Sequence, residues 1–228
     1  MKTSEAIILA GGLGKRLQGI VKDIPKPMAD IRGRPFLSYL LDYLLDQGIG
    51  RVIISTGHRA EAIVSTFKDS YHGLKIEFSN EEMPLGTGGA VKLAMRRVRG
   101  ANVFVLNGDT IFKAGLSGLE SAFLRDKADI AIALKDAPSC ERYGRVVLDA
   151  KNRIVELREK GVKSGGLINA GVSLMRRGVL DKMPDAFSFE ADFLCKELSS
   201  LKIVGVPFDG YFIDIGIPDD YLRAQQEL

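Results

Sequence analysis

Through its first half the chain alternates short β-branched runs with stretches whose apolar residues recur at helical spacing. AIILA (6–10) reads as a strand that runs into a glycine loop, and FLSYLLDYLLDQG (36–48) as an amphipathic helix with a glycine stop. RVIIST (51–56) and LKIEFS (74–79) predict strands, RAEAIVSTF (59–67) and TGGAVKLAMRRV (87–98) predict helices, and NVFVLNGD (102–109) is a further strand. This β-α-β-α rhythm implies parallel strands covered by helices. Open sheets of that kind bind ligands beyond the carboxyl ends of their strands. The glycine loop and the NGD both lie at such ends, so two motifs converge on one edge.

The second half is less regular. ADIAIAL (128–134) continues the sheet, GRVVLDAKNRIVEL (144–157) reads as a hairpin turning at 150–152, and LINAGVSLM (167–175) as another strand. A helix from about 190 to 198, a strand KIVGVPF (202–208), the segment GYFIDIG (210–216) and a terminal helix complete the pattern. There is no low-complexity linker and no internal repeat, in particular no hexapeptide β-helix repeat. One domain over 1–228 is the expectation, with the irregular half covering the ligand edge.

Composition narrows the classes. With 228 residues, 46% hydrophobic and 27% charged, the chain has the makeup of an ordinary globular domain. Its 32 basic and 29 acidic residues leave a charge of only +3, which argues against a nucleic-acid partner. The densest basic run, MRRVR (95–99), closes a helix and reads as a solvated face. Two cysteines without a CxxC, no apolar run of roughly 20 residues and no signal-like core lead to the expectation of a cytoplasmic protein with no membrane partner. His58 and His72 stand at no metal-like spacing, and loop or surface roles are expected for both.

The candidate chemistry begins with LAGGLGKRL (9–17). It is not a Walker A loop, because Gly14–Lys15 is followed by Arg16; nor is it G-x-G-x-x-G, because Leu17 stands in the third glycine's place. What remains is physical. Glycines bring backbone N–H groups close to an anion, and Lys15 and Arg16 add two charges at the same spot. A second basic element, IPKPMADIRGRPFL (24–37), holds Lys26 between prolines that restrict the chain, so that it can act as a fixed point charge. Taken alone, the glycine loop favours an anion site, whereas the proline-flanked segment is equally readable as a surface loop.

LAGGLGKRL, PKPM, EEMPLGTGGA, NGDT, ELREK, INAG and FIDIG follow one another in that order, and over 6–221 the chain resembles the sugar-1-phosphate nucleotidylyltransferases. The resemblance implies a GT-A-like, Rossmann-related α/β fold. Its mixed, mostly parallel central sheet would be flanked by helices and joined by a smaller β-rich sugar-binding part. Roughly 1–110 would form the nucleotide-binding half and 111–228 the sugar-phosphate half. The implied reaction joins an NTP to a sugar 1-phosphate and releases pyrophosphate. Such transfer rests on positioning and charge neutralisation, and an already ionised nucleophile needs no general base.

The family's roles carry over by position. Asp109 and Asp214 match its Mg²⁺ carboxylates, in keeping with that ion's taste for one or two carboxylates plus phosphates. Leu9, Ala10, Gly11, Gly12, Gly14 and Arg16 match the nucleotide phosphate loop, with Lys15 where the family commonly has threonine, and Asn107 and Gly108 lie beside it. Lys26 resembles the lysine on the nucleotide phosphates; Lys160 resembles the one that grips the sugar phosphate, so that Arg16, Lys26 and Lys160 form the catalytic cations. Tyr143, Gly144, Glu159, Asn169 and Gly171 match sugar-binding positions, with Glu190 or Asp192 closing over the hydroxyls. Leu85, Gly86, Thr87 and Gly88 match the segment that approaches the nucleoside by backbone.

Glu81 stands where many uridylyl and thymidylyl members carry an amide. A carboxylate only accepts hydrogen bonds, and guanine's edge offers two adjacent donors, so GTP is the expected substrate. Glu82 and Asn80 are alternatives if the loop register differs. Within the family, the short form, the PLGTGGA variant and the YFIDIGIPDDY ending are most similar to members that transfer GMP to D-glycero-α-D-manno-heptose 1-phosphate for bacterial surface polysaccharide. A uridylyltransferase acting on N-acetylmuramic acid 1-phosphate is the runner-up. A GT-A glycosyltransferase would lack GGLGKR, and a non-catalytic sensor would have no need to keep Arg16, Lys26, Asp109, Lys160 and Asp214 together. The expected partners are thus an NTP and a sugar 1-phosphate, bound by a monomer or homodimer.

Overall fold

A computed structural model describes residues 2–12, 24–158, 161 and 164–228. Strand β1 (Glu5–Leu9) is followed by a 3-10 turn at Lys26–Met28, the small pair β2 (Asp30–Ile31) and β3 (Arg34–Pro35), and helix α1 (Phe36–Asp46). Then come β4 (Arg51–Thr56), α2 (Ala60–Phe67), β5 (Ser70–Tyr71), β6 (Leu74–Asn80), α3 (Gly86–Met95) and β7 (Asn102–Asn107). The second half holds β8 (Thr110–Phe112), α4 (Leu116–Arg125), β9 (Ile130–Ala137), β10 (Arg145–Leu148), β11 (Ile154–Arg158) and β12 (Gly166–Arg176). A π-helical turn (Phe189–Leu194) runs into α5 (Cys195–Glu197), and β13 (Ile203–Pro207), β14 (Phe212–Asp214) and α6 (Pro218–Glu227) end the chain.

Among the described residues eight strands form one sheet in the order β13-β9-β12-β7-β1-β4-β6-β5. The pairs β1–β4, β1–β7, β4–β6 and β9–β13 are parallel, as the alternation implies. Strand β12 runs antiparallel to both β7 and β9. The reversal at β12 carries residues of the second half to the edge already occupied by the first.

Strand period two splits the core into two layers. Ala6, Ile8, Val52 and Ile54 face α1 through Leu37, Leu40, Leu41 and Leu44, and α4 through Leu119 and Phe123. The alternate residues Ile7, Ile53, Val103 and Val105 face α3 through Val91, Ala94 and Met95, together with Phe193 and Leu194. Sheets covered on both faces favour continuous apolar runs, and β4 is buried at all six positions, with Val52, Ile53 and Ile54 at its centre. Among the described residues no helix is long and apolar enough to cross a membrane.

The structure departs from the sequence pattern in three places. The helix expected from about 190 opens as a π turn, with the Ser188 hydroxyl accepting the Ala191 N–H and the Phe189 and Phe193 rings 5.6 Å apart. Helix α4 has no counterpart in the pattern; its first turns, LSGL, carry serine and glycine, which weaken a helical signal. FIDIG adds its strand β14 to β8 and forms a separate two-stranded pair outside the main sheet.

At the amino-terminal ends of the strands Arg51 ties three strands together. Its guanidinium meets the Glu5 carboxylate, donates to Glu77 Oε1 at 3.1 Å and Oε2 at 2.7 Å, and reaches the Arg97 carbonyl at 2.8 Å. The other Glu5 oxygen accepts the Arg99 N–H at 2.9 Å. A buried charge stripped of its partner is costly, so Glu5→Ala is expected to lower stability by about 3 kcal/mol in urea unfolding. A loss below about 1 kcal/mol, the scale of an exposed pair, would contradict that account.

Candidate active site

The carboxyl ends of β1, β4 and β6 open into a cleft of about 470 Å³. Gly11 and Gly12 follow β1 on its floor, Gly57 and His58 follow β4, and Glu81 follows β6. Ala10 donates its N–H to the Ser55 carbonyl at 2.8 Å and Gly108 donates to the Leu9 carbonyl at 2.9 Å, which fixes where the loop after β1 departs. Gly14, Lys15 and Arg16 of that loop lie outside the described residues.

Glu81 braces one wall. Its Oε2 accepts the Leu85 N–H at 3.0 Å, and its Oε1 lies so close to Gly11 that a Cβ there would come within 2.7 Å. Gly86 and Thr87, at the start of α3, line the cleft. Gly86 has φ +71°, and a Cβ on it would meet the Phe187 carbonyl oxygen at 2.6 Å, so only glycine fits. Leu85 and Gly88 turn mainly to the chain itself. The Leu85 carbonyl accepts the Phe187 N–H at 2.9 Å, the Gly88 N–H reaches the Phe187 carbonyl at 3.0 Å, and the Phe187 ring lies over Gly88.

A second, polar cavity of about 160 Å³ sits where β7, β8, β12 and β14 meet. The β8–β14 pairing sets Asp214 opposite Thr110, and the Ile215 N–H donates to the Asp109 carbonyl at 3.0 Å. Both aspartates therefore face one seam. Lys26, presented by the 3-10 turn between Pro25 and Pro27, reaches Asp109 Oδ2 at 2.8 Å with only 10% of its side chain exposed. Asp214 Oδ2 takes Arg142 Nη2 at 3.1 Å and its Oδ1 takes the Gly216 N–H at 2.7 Å.

Burial, then the neighbouring Asp109 charge, pushes the Asp214 carboxyl above the usual carboxylate range, against the pull of the Gly216 N–H, Arg142 and Lys26. Burial, reinforced by Asp214, likewise raises the Tyr143 phenol. Among the described residues no three His, Cys, Asp or Glu side chains gather as a ready cation cage. Two carboxylates in one polar seam do fit a hard divalent cation that draws its other ligands from phosphate and water.

Most of the residues expected on the sugar side converge on the same seam. Tyr143, Asn169, Gly171 and Glu190 line the polar cavity with Asn107 and the two aspartates. Asn169 Oδ1 accepts the Gly171 N–H at 3.1 Å within the bulge that interrupts β12. Gly171, at φ +76°, lets Asn107 lie against its Cα, since a Cβ would fall 2.8 Å from Asn107 Nδ2. Gly144 closes the turn before β10, its N–H on the Cys140 carbonyl at 3.0 Å. Glu159 and Lys160 lie outside the described residues. The sequence reading missed Arg142 and Phe187 and assigned His58 to loop or surface; His58 does lie in a loop, but one that walls the cleft. Its position just past a parallel strand was the available signal.

A family model for nucleotidyl transferases matches residues 5–228, so the chain belongs to the nucleotidyl transferase family and is a nucleotidyltransferase. It is 48% identical over 226 residues to a D-glycero-alpha-D-manno-heptose 1-phosphate guanylyltransferase of Aneurinibacillus thermoaerophilus, covering 98% of each chain. It is 44% identical over 219 residues to the enzyme of that description from Campylobacter jejuni, covering 95% of this chain and 96% of that one. The crystal structure of HddC from Yersinia pseudotuberculosis complexed with GMP-PN superposes with a TM-score of 0.89 at 38% identity over 99% of both chains. The family generally uses a divalent metal.

An acid whose folded pKa is raised costs stability once pH has climbed past its ordinary range, and the cost vanishes below that range, where both states are protonated. Asp214→Asn is therefore expected to raise the thermal midpoint of the chelator-treated protein at pH 7. The difference should shrink toward zero near pH 3, below the ordinary aspartate pKa of about 3.9. A lower midpoint than the native chain's at pH 7 would count against the electrostatics described.

Proposed function

We propose that this chain transfers GMP from GTP to a heptose 1-phosphate, most simply D-glycero-α-D-manno-heptose 1-phosphate, giving GDP-heptose and pyrophosphate. The observation that carries this reading is the pair of facing carboxylates, each holding a cation, between a cleft of nucleotide size and a polar cavity. The names of the relatives and the nucleotide in the Yersinia complex support guanine and heptose.

In this reading an oxygen of the sugar phosphate forms a bond to the α-phosphorus as the bond to the β-phosphate oxygen breaks, in line. Asp109 and Asp214 would hold Mg²⁺, which when bound would supply charge neutralisation for the reacting phosphates. Lys26, carried on its proline-flanked turn, moves its charge from Asp109 toward the nucleotide phosphates. Gly11, Gly12 and Gly14 with Arg16 receive the departing pyrophosphate; Lys15 adds charge there, and Lys160 grips the sugar phosphate. Asn107 and Gly108 border the phosphates, Leu9 and Ala10 lead the chain into the loop, and Gly86, Thr87, Leu85 and Gly88 form the nucleoside wall. Tyr143, Gly144, Glu159, Asn169, Gly171 and Glu190 receive the sugar. Glu81 keeps one oxygen on the Leu85 N–H and offers its carboxylate to the guanine donors. The enzyme works in the cytoplasm as a monomer or homodimer.

Pyrophosphate release with each of four NTPs against a panel of sugar 1-phosphates tests the proposal. GTP with the heptose phosphate should lead, and a preference for UTP would overturn the guanine assignment. Asp109→Asn should lower kcat by about a thousandfold while the far-UV spectrum is unchanged. Glu81→Gln keeps an acceptor for Leu85 but loses the charge, so the preference for GTP over other NTPs should fall by about tenfold or more.

A further inference from the structure

Arg142 belongs to none of the roles assigned above, yet its guanidinium enters the seam directly. It sits in the tight turn between β9 and β10, where the Tyr143 and Gly144 N–H groups both converge on the Cys140 carbonyl, at 3.2 and 3.0 Å. From there it spans two elements at once. Nη2 meets Asp214 on β14, and Nη1 meets Asp220 in the first turn of α6.

The fit to Asp214 is loose for an arginine. One N–H touches one carboxylate oxygen, not the parallel two-bond fork that makes such pairs strong. Its Nε is buried with no acceptor among the described residues, an unusual state for a guanidinium placed for structure alone. Asp220 is shared, since Arg223 also reaches it at 3.1 Å. Asp214 stands among Asp109, Asp220 and Glu190, with Lys26 on Asp109 and Arg223 on Asp220. Were the Arg142 guanidinium taken away, Asp214 would keep no cation at ion-pair distance among the described residues.

We propose that Arg142 is the internal counter-cation of Asp214. It occupies the carboxylate's charge position when no metal is bound and withdraws toward Asp220 when a divalent cation arrives. The proposal rests on the reading that Asp214 holds the catalytic cation. Arg142 does for Asp214 what Lys26 does for Asp109, and each guards its acid against its neighbour. Arg142 is thus a positioning residue that sets how much of the metal's binding free energy is spent on displacing a resident charge. Its guanidinium also lies 5.1 Å from the centre of the Tyr143 ring, so its withdrawal changes what that ring faces in the sugar cavity.

Mn²⁺ binding, read from the free-ion EPR signal in the presence of a non-hydrolysable GTP analogue, separates the possibilities. Arg142→Gln should bind Mn²⁺ at least about fivefold more tightly than the native protein, and Arg142→Lys should stay within about twofold of it. Asp220→Asn frees the guanidinium to serve Asp214 alone and should weaken Mn²⁺ binding. Opposite signs from two neighbouring substitutions cannot come from general loosening of the fold. Equal or weaker binding by Arg142→Gln overturns the proposal, as does unchanged or tighter binding by Asp220→Asn. Asp214→Asn distinguishes the two levels: affinity equal to the native protein's removes the metal reading itself. A loss there, without the gain in Arg142→Gln, removes only the counter-cation. Should Arg142→Gln fail to fold, Asp220→Asn still decides the sign.

Discussion

Two carboxylates held close together in a half-buried seam repel one another, and much of the surrounding structure answers that repulsion. The β8–β14 pair forces the proximity, because register sets Asp214 beside the residue that follows Asp109. Lys26, stiffened by its prolines, Arg142, braced by its turn, and the Gly216 N–H each return part of the cost. The seam is unfavourable in isolation, and in the proposed reaction a doubly charged ion and its phosphates would offset that cost. That is the usual economy of a site built to bind charge.

The sheet explains why this seam lies where a nucleotide and a sugar can meet. Parallel β1, β4, β6 and β7 all end on one edge and furnish the cleft. The reversed strand β12 then brings Asn169 and Gly171 to the end of β7, against Asn107. An irregularity in the β12–β9 register falls at that point, where Gly171 takes the left-handed region and Asn107 lies against it.

Much of this was legible in the chain. The strand runs, the helices over the first half, the hairpin at 150–152 and the convergence of the glycine loop with Asp109 all follow from local period and strand ends. What stayed hidden depends on contacts far apart in sequence. Nothing local says that FIDIG pairs with β8, that Arg142 reaches Asp214 across 72 positions, or that Phe187 seats on Gly88. A glycine-rich motif announces that something approaches the backbone closely and is silent about what. At 86–88 part of the answer is the chain's own Phe187. The π turn after Ser188 escaped as well, since Phe189 and Phe193 suit an ordinary helical period.

The grip of Phe187 on the start of α3 has a consequence for inheritance. The wall of the nucleotide cleft is stitched to the stretch that leads straight into Glu190 of the sugar cavity, by three main-chain hydrogen bonds and a ring laid on a glycine. In the proposed reaction, choice of base and choice of sugar would therefore share one stitched wall. A chimaera with its front half from one relative and its back half from another would keep this wall only if the glycine and the phenylalanine travelled together.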